Sequence, residues 1–345
     1  MAVEDMPHEL RQQTIEEPRK GRSPMGDAVR QLMRNRIAVA GGIFLILIIF
    51  VALLSDDFIF SAFTGKETEP LLAPYHYAEV NFKAHDLGPL STAEDGRFYL
   101  LGVDYLGRDM LSRTMYAARI SLSVAIVAAT VSLIIGVTYG LISGYSSSRV
   151  DNIMMRFVDF LYGFPLIIFI ILMQVYFKAL SRQGGEGGGI AGLLLDLDKS
   201  MGGILFVFIA IGMINWLGMS RIARGQTLSY KEKEFVEAAR SVGSSDRRII
   251  SKHLLPNILG PCIVAETLAI PGYIFLEAFL SFIGLGVNPP TPSWGIMISE
   301  TYQGLRTFPH EVFIPALALL LVTLAFNFLG DGLRDAFDPR MRGTT

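Results

Sequence analysis

Apolar residues along the chain fall into six long runs, at about 37–54, 120–142, 153–177, 204–222, 258–283 and 313–333, separated by segments rich in charge, glycine and proline. A helix rising 1.5 Å per residue needs about 20 such residues to cross a hydrocarbon core of about 30 Å. The pattern therefore predicts an all-α integral membrane protein with six transmembrane helices. A polar tail of about 36 residues precedes the first run and no small-residue cleavage site follows it, so the run reads as an uncleaved span rather than a secretory signal.

The segments between runs divide the chain. Residues 1–36 form a tail, 37–54 the first span, 55–119 a long loop, 120–333 a five-helix core containing a polar loop at 223–257, and 334–345 a second tail. With the first tail inside, the inner segments hold 20 of the 30 Lys and Arg residues, and positively charged loops stay cytoplasmic. Both termini are expected on the cytoplasmic side. Ser23-Pro24 suits a cap and first turn, and Met25, Val29, Leu32 and Met33 then form one stripe beside Arg30, Arg34 and Arg36, predicting an interfacial helix. The 55–119 loop is long enough for a small folded cap, and Gly184-Gly185-Glu186-Gly187-Gly188-Gly189 reads as a flexible outer link.

Composition narrows the function classes. Half the chain is hydrophobic (51%) and only 18% is charged, against about 25% in an average soluble domain. A net charge of −2 supplies no basic field for nucleic acid. One cysteine, Cys262, and five scattered histidines give neither a disulfide nor a metal cluster, so no metal and no cofactor are expected. The sequence Gly-x-x-x-x-Gly-Lys-Ser/Thr is absent, so the chain lacks the usual ATP cradle, and no catalytic residue is assigned.

The 223–257 loop carries the most specific pattern. Phe235, Ala238, Ala239 and Val242 recur at helical spacing with Glu234, Glu237 and Arg240 beside them, and Gly243 follows where a left-handed stop falls. Ser244, Ser245 and Asp246 then offer caps for a second short helix, whose Ile249, Ile250, His253 and Leu254 face one way until Pro256 is expected to break it. The predicted object is a helical hairpin outside the bilayer, either a knob for another protein's groove or an ordinary solvated loop.

The run Glu237-Ala238-Ala239, Gly243 and Leu255-Pro256 resembles the cytoplasmic signature of permease subunits of bacterial ABC importers. His253 stands where that pattern usually has Ile. Further segments are similar to the C-type permeases of dipeptide, oligopeptide and nickel importers: Val103-Asp104 with Gly107-Arg108-Asp109, Ser112-Arg113, Ala118-Arg119 with Ser121-Leu122, Ser281 through Gly286 with Pro289-Pro290 and Trp294-Gly295, and Leu329 through Asp335 with Asp338-Pro339-Arg340. The resemblance implies a type I ABC importer permease fold in the bacterial inner membrane, multi-pass. It also implies two ATPase subunits binding the ATP, a homologous second permease, an extracytoplasmic substrate-binding protein, and ATPase coupling through Phe235, Glu237, Ala238, Ala239, Gly243, Leu255 and Pro256.

Polar residues within the runs are costly, about 3 kcal/mol at a helix centre, and so face protein or water. Glu266 and Glu277 lie eleven positions apart, three turns, on one face of the fifth run, with Pro271 between them. They are candidates for the substrate path, with Asn327, or are satisfied by neighbouring helices. Asn215 and Asn327 also suit helix-to-helix hydrogen bonds. Arg108, Asp109 and Arg113 are candidates for binding-protein contact or an external gate, or form a solvated turn with local ion pairs.

The expected function is half of an ATP-driven import path for peptides. Nickel or another small solute is the alternative within the family. An ion-gradient secondary transporter is a more distant one, and would show broken helices in corresponding halves. An intramembrane hydrolase would use Ser121, Ser123 or Ser132, but no histidine lies in the neighbouring runs to activate them.

Overall fold

A computed structural model describes residues 24–55, 72–84, 87–182, 190–201 and 203–337. The glycine run at 184–189, Ser23 and Asp338-Pro339-Arg340 lie outside the described residues.

Helix α1 (Pro24–Arg34) precedes α2 (Arg36–Leu54), and Asn35 between them caps α2 by accepting from Ala38 N at 3.1 Å. Ala28 of α1 is buried while Val29 and Met33 are exposed. A two-stranded antiparallel hairpin, β1 (Ser91–Thr92) and β2 (Phe98–Tyr99), follows, with Ala84, Ala93, Tyr99 and Val103 as its small core. This is the folded cap expected in the long loop, but the loop ends sooner than predicted. Helix α3 (Met110–Tyr145) begins nine residues before position 119, because Asp109 caps it and buried ion pairs satisfy the charges in its first turns.

The third apolar run is not one straight helix. It is α4 (Ser148–Tyr162) and α5 (Leu166–Arg182), bent by 70° at Gly163-Phe164-Pro165, where proline lacks the donor and the room to continue the first helix. Next come α6 (Ile190–Ser200), α7 (Leu205–Tyr230) and α8 (Glu234–Ser241). Helix α9 then runs from Asp246 to Phe282, followed by α10 (Trp294–Thr301) and α11 (Pro309–Phe337). Among the described residues, five helices are long and apolar enough to cross a membrane, or six if the bent pair is one span.

Pro256 does not break the chain as expected. A π-turn at Ile250–Leu254 widens the helix just before it, so Pro256 falls in the first turn of the α-helical segment that follows, where its missing N–H costs little. The second arm of the predicted hairpin is therefore the first stretch of α9.

The bundle closes around α3 and α7. Gly136, Gly140 and Gly144 line α3 at four-residue intervals, and a Cβ at Gly136 would stand 2.6 Å from Met219 Cβ, one at Gly144 3.0 Å from Arg224 O. Small residues at this spacing let two backbones approach in lipid, where packing rather than water exclusion drives association.

Candidate functional site

The α8 hairpin has two faces. Val236 and Ala239 are buried, joining Ile249, Leu254, Ile258, Val137, Leu141 and Ala223 in one apolar cluster. Phe235, Glu237, Ala238, Arg240 and Val242 face outward, Val242 at 81% exposure. The helical pattern placed Phe235, Ala238, Ala239 and Val242 on one stripe; the structure splits it, with Ala239 turned to the bundle. Val236, which that stripe omitted, is the anchor. Gly243 ends the helix at φ +78°, donating to Arg240 O, and Ser244 N donates to Ala239 O. Leu255 is half-buried and Pro256 exposed at the start of the long α9 segment.

This hairpin is tied to the ends of the spans. Tyr145 at the end of α3 donates its hydroxyl to Asp246 Oδ1 at 2.5 Å, and the Arg240 guanidinium lies 5.5 Å from the centre of the same ring. Lys231 Nζ donates to Gly144 O at 2.9 Å. Nearby, Arg224 grips Asp151 with two 2.6 Å bonds and Ser143 donates to the same carboxylate, fixing α4 to α7 and α3.

Within the bundle, both fifth-run carboxylates are buried and bonded to α3. Ser132 Oγ donates to Glu266 at 3.0 Å and Ser121 Oγ to Glu277 at 2.8 Å. The two serines are spaced like the two carboxylates, so antiparallel α3 and α9 are held at two rungs three turns apart. Tyr273 also donates to Glu266 at 2.7 Å and Ser281 to Glu277 at 2.6 Å. The two carboxylates differ in one respect. Glu266 lines a cavity of about 270 Å³ with Tyr162, Asn215 and Tyr273, and Glu277 does not. Asn215 donates to Ile211 O of its own helix at 2.7 Å rather than to a neighbouring one. Asn327 is exposed on α11 and away from that cavity, so the three sequence candidates for the path are not brought together.

The three long-loop candidates, Arg108, Asp109 and Arg113, are buried, not a solvated turn. Arg108 bonds Asp104 at 2.7 Å and Glu300 at 2.8 Å, and Arg113 bonds Glu300 at 2.8 Å. This box clamps the start of α3 to α10. Burial pulls the Arg108 guanidinium down, but Asp104 and Glu300 outweigh it and hold the group above its usual range. Burial raises the Asp109 carboxyl, against the hydrogen bonds it accepts from Ser112. Asp104, named in the sequence only within a family-like segment, and Glu300, not singled out there, complete the box.

The fold and these sites define a membrane-spanning transport subunit. Residues 136–343 match the family described as binding-protein-dependent transport system inner membrane component, and residues 23–89 match the N-terminal transmembrane domain of oligopeptide transport permease C. The chain belongs to this family of inner-membrane permeases. It is 41% identical over 324 residues to the oligopeptide transport system permease protein OppC of Haemophilus influenzae, covering 94% of this chain and 91% of that one. It is 38% identical to the dipeptide transport system permease protein DppC of Bacillus subtilis, covering 92% and 86%, and 35% identical to the glutathione transport system permease protein GsiD of Pectobacterium atrosepticum, covering 93% of each. The inward-facing MetNI methionine ABC transporter shares the fold at a TM-score of 0.50 and 15% identity, over 66% of this chain and 97% of that one.

Proposed function

We propose that this chain is one of two permease subunits of an ATP-driven peptide importer and is itself no enzyme. The observation that carries the coupling role is the two-faced α8, with Val236 and Ala239 bolted to the spans and Phe235, Ala238 and Val242 left outward. A small apolar patch flanked by Glu237 and Arg240 suits a rigid knob in a partner's groove, with charge setting register. In this reading the α8 end is cytoplasmic, both termini lie on that side, and each permease seats one ATPase subunit. The cap end, with its buried Arg108, Asp109 and Arg113, faces the loaded binding protein. Only Glu300 of the box, at 21% side-chain exposure, reaches toward that surface.

Alternating access needs two packings of the spans close in free energy, each favoured by a different partner. Closure of the ATPases around ATP would move the α8 knobs together, and the Tyr145–Asp246 bond would pass that movement to α3 and α9. Hydrolysis would reverse it. The names of the relatives favour a di- or oligopeptide cargo. The test is co-purification from the native membrane followed by uptake of labelled trialanine with the co-purified binding protein. ATP-dependent accumulation supports the reading, and uptake that follows an ion gradient without ATP refutes it.

A further inference from the structure

The Glu266 cavity has a feature the transport reading leaves unused. Its lining is mostly apolar, from Leu166, Ile214, Met219 and Ala269, with Glu266, Tyr162, Asn215 and Tyr273 as its polar groups. Both partners of Glu266 are hydroxyl donors, so its carboxylate acts purely as an acceptor, and no Lys or Arg lines the cavity to balance it. The Asn215 amide nitrogen is turned to Ile211 O, and among the described residues no donor serves its side-chain oxygen. Two oxygen acceptors thus share a small space lined by no cation, the Arg221 guanidinium that stacks on the Tyr162 ring being paired with Asp159.

A second observation sets the cavity beside the break in the third apolar run. Tyr162 and Leu166 flank the 70° break between α4 and α5, and Gly163, Phe164 and Pro165 are exposed. Non-helical backbone at membrane depth is tolerated only where it is buried in protein or lines water, never against lipid. A break lying within the membrane would face a second protein or an aqueous path, and Tyr162 and Leu166 bring the cavity alongside it. At about 270 Å³ the space is below the roughly 300–1,000 Å³ of a whole-ligand pocket, and fits one end of an extended solute rather than all of it.

We infer that this cavity is a subsite for a primary ammonium group, taken between Glu266 and Asn215 beside the Tyr273 hydroxyl as cargo passes. Resting on the peptide reading, the inference assigns the chain's side of the path to the cargo's amino terminus. Apolar walls raise the strength of such a pairing over its value in water, while a single carboxylate without chelating geometry keeps it weak enough to release.

The test uses the assembled transporter in nanodiscs, with Ala269→Cys as a reporter inside the cavity and the unsubstituted complex as the labelling background. Propylammonium is expected to slow maleimide labelling of the new cysteine at least fivefold more than propanol does, and adding Glu266→Gln is expected to erase that difference. Equal effects of the two probes, or protection that survives Glu266→Gln, overturn the inference. Should Glu266→Gln fail to assemble, the comparison of probes in the single variant still decides. In parallel, Ala269→Leu fills the space while keeping both hydroxyl partners of Glu266, and is expected to cut trialanine uptake at least fivefold; unchanged uptake overturns the subsite. Absence of trialanine uptake by the unsubstituted complex removes the peptide reading alone, since the ammonium comparison stands apart from it.

Discussion

Tyr145 Oη lies 2.5 Å from Asp246 Oδ1, and this bond joins the last turn of α3 to the first turn of α9. Three elements meet at one side chain, since Arg240 of α8 packs over the same ring. Tyr145→Phe keeps the ring and removes the bond, a change of about 1 kcal/mol. Expression and membrane insertion should be normal, while transport per ATP hydrolysed should fall. Paired uptake and ATPase measurements check this, and an unchanged ratio would show that the hairpin is driven some other way.

The α3–α7 contact is set by glycine. A Cβ at Gly136 would meet Met219 Cβ and Cγ and Trp216 O, all within 2.9 Å, and backbone on one side cannot yield. Gly136→Val should destabilise the bundle by about 1–3 kcal/mol through overpacking. Gly225, with nothing near its side, should accept alanine freely. Thermal unfolding in detergent separates the two.

Ser121 and Glu277 form one rung of the α3–α9 ladder, and deleting either member should remove the same interaction. A double-mutant cycle of Ser121→Ala and Glu277→Gln is expected to show coupling of about 1 kcal/mol. Simple additivity would mean that Ser281, also bonded to Glu277, already satisfies the carboxylate.

Asp109 tests the long-loop end. Burial raises its native carboxyl pKa, so the folded protein holds this proton more tightly than the unfolded chain does. Its contribution to stability is therefore full in acid, below the unfolded value, and is lost as pH rises through the native one. Asp109→Asn, which keeps the cap to Ser112 N, should match or exceed the parent at neutral pH and lose the gain on acidification. Asp109→Ala should cost about 1 kcal/mol through loss of the cap. Stability measured from pH 4 to 8 distinguishes them.

Breaking the ion box should be more damaging. Glu300 serves both Arg108 and Arg113, so Glu300→Gln leaves two buried guanidinium groups sharing Asp104, at a cost of about 3–5 kcal/mol. Loss of the assembled complex on gel filtration is the expected result.

Much of this architecture could be read from residue order because lipid imposes a simple rule, that long apolar runs become helices. Five of the long apolar helices and a small fold within the long loop followed from run length. What escaped were places where tertiary partners override local signals. Pro256 looked like a stop and became an early turn of a long helix once a π-turn made room for it. Arg108 and Arg113 read equally as gate or binding-protein contacts and as solvated loop charges, because their partner Glu300 lies 192 and 187 residues away. Val236 fell outside the stripe drawn through Phe235 and Ala239, because periodicity locates an apolar face but not which edge of it turns inward. Glu266 and Glu277 were visible as a pair, yet the cavity that distinguishes them needed the bend at Gly163 to exist.

In the proposed reading, the outward face of α8 seats a separate ATPase. Ala238→Arg places a long charged side chain on that face without touching Val236 or Ala239, so the chain should insert and fold normally. Purified with its partners, the variant should retain less than a tenth of the ATPase bound by the parent and show no ATP-driven uptake. Full retention of the ATPase together with normal uptake would contradict the account.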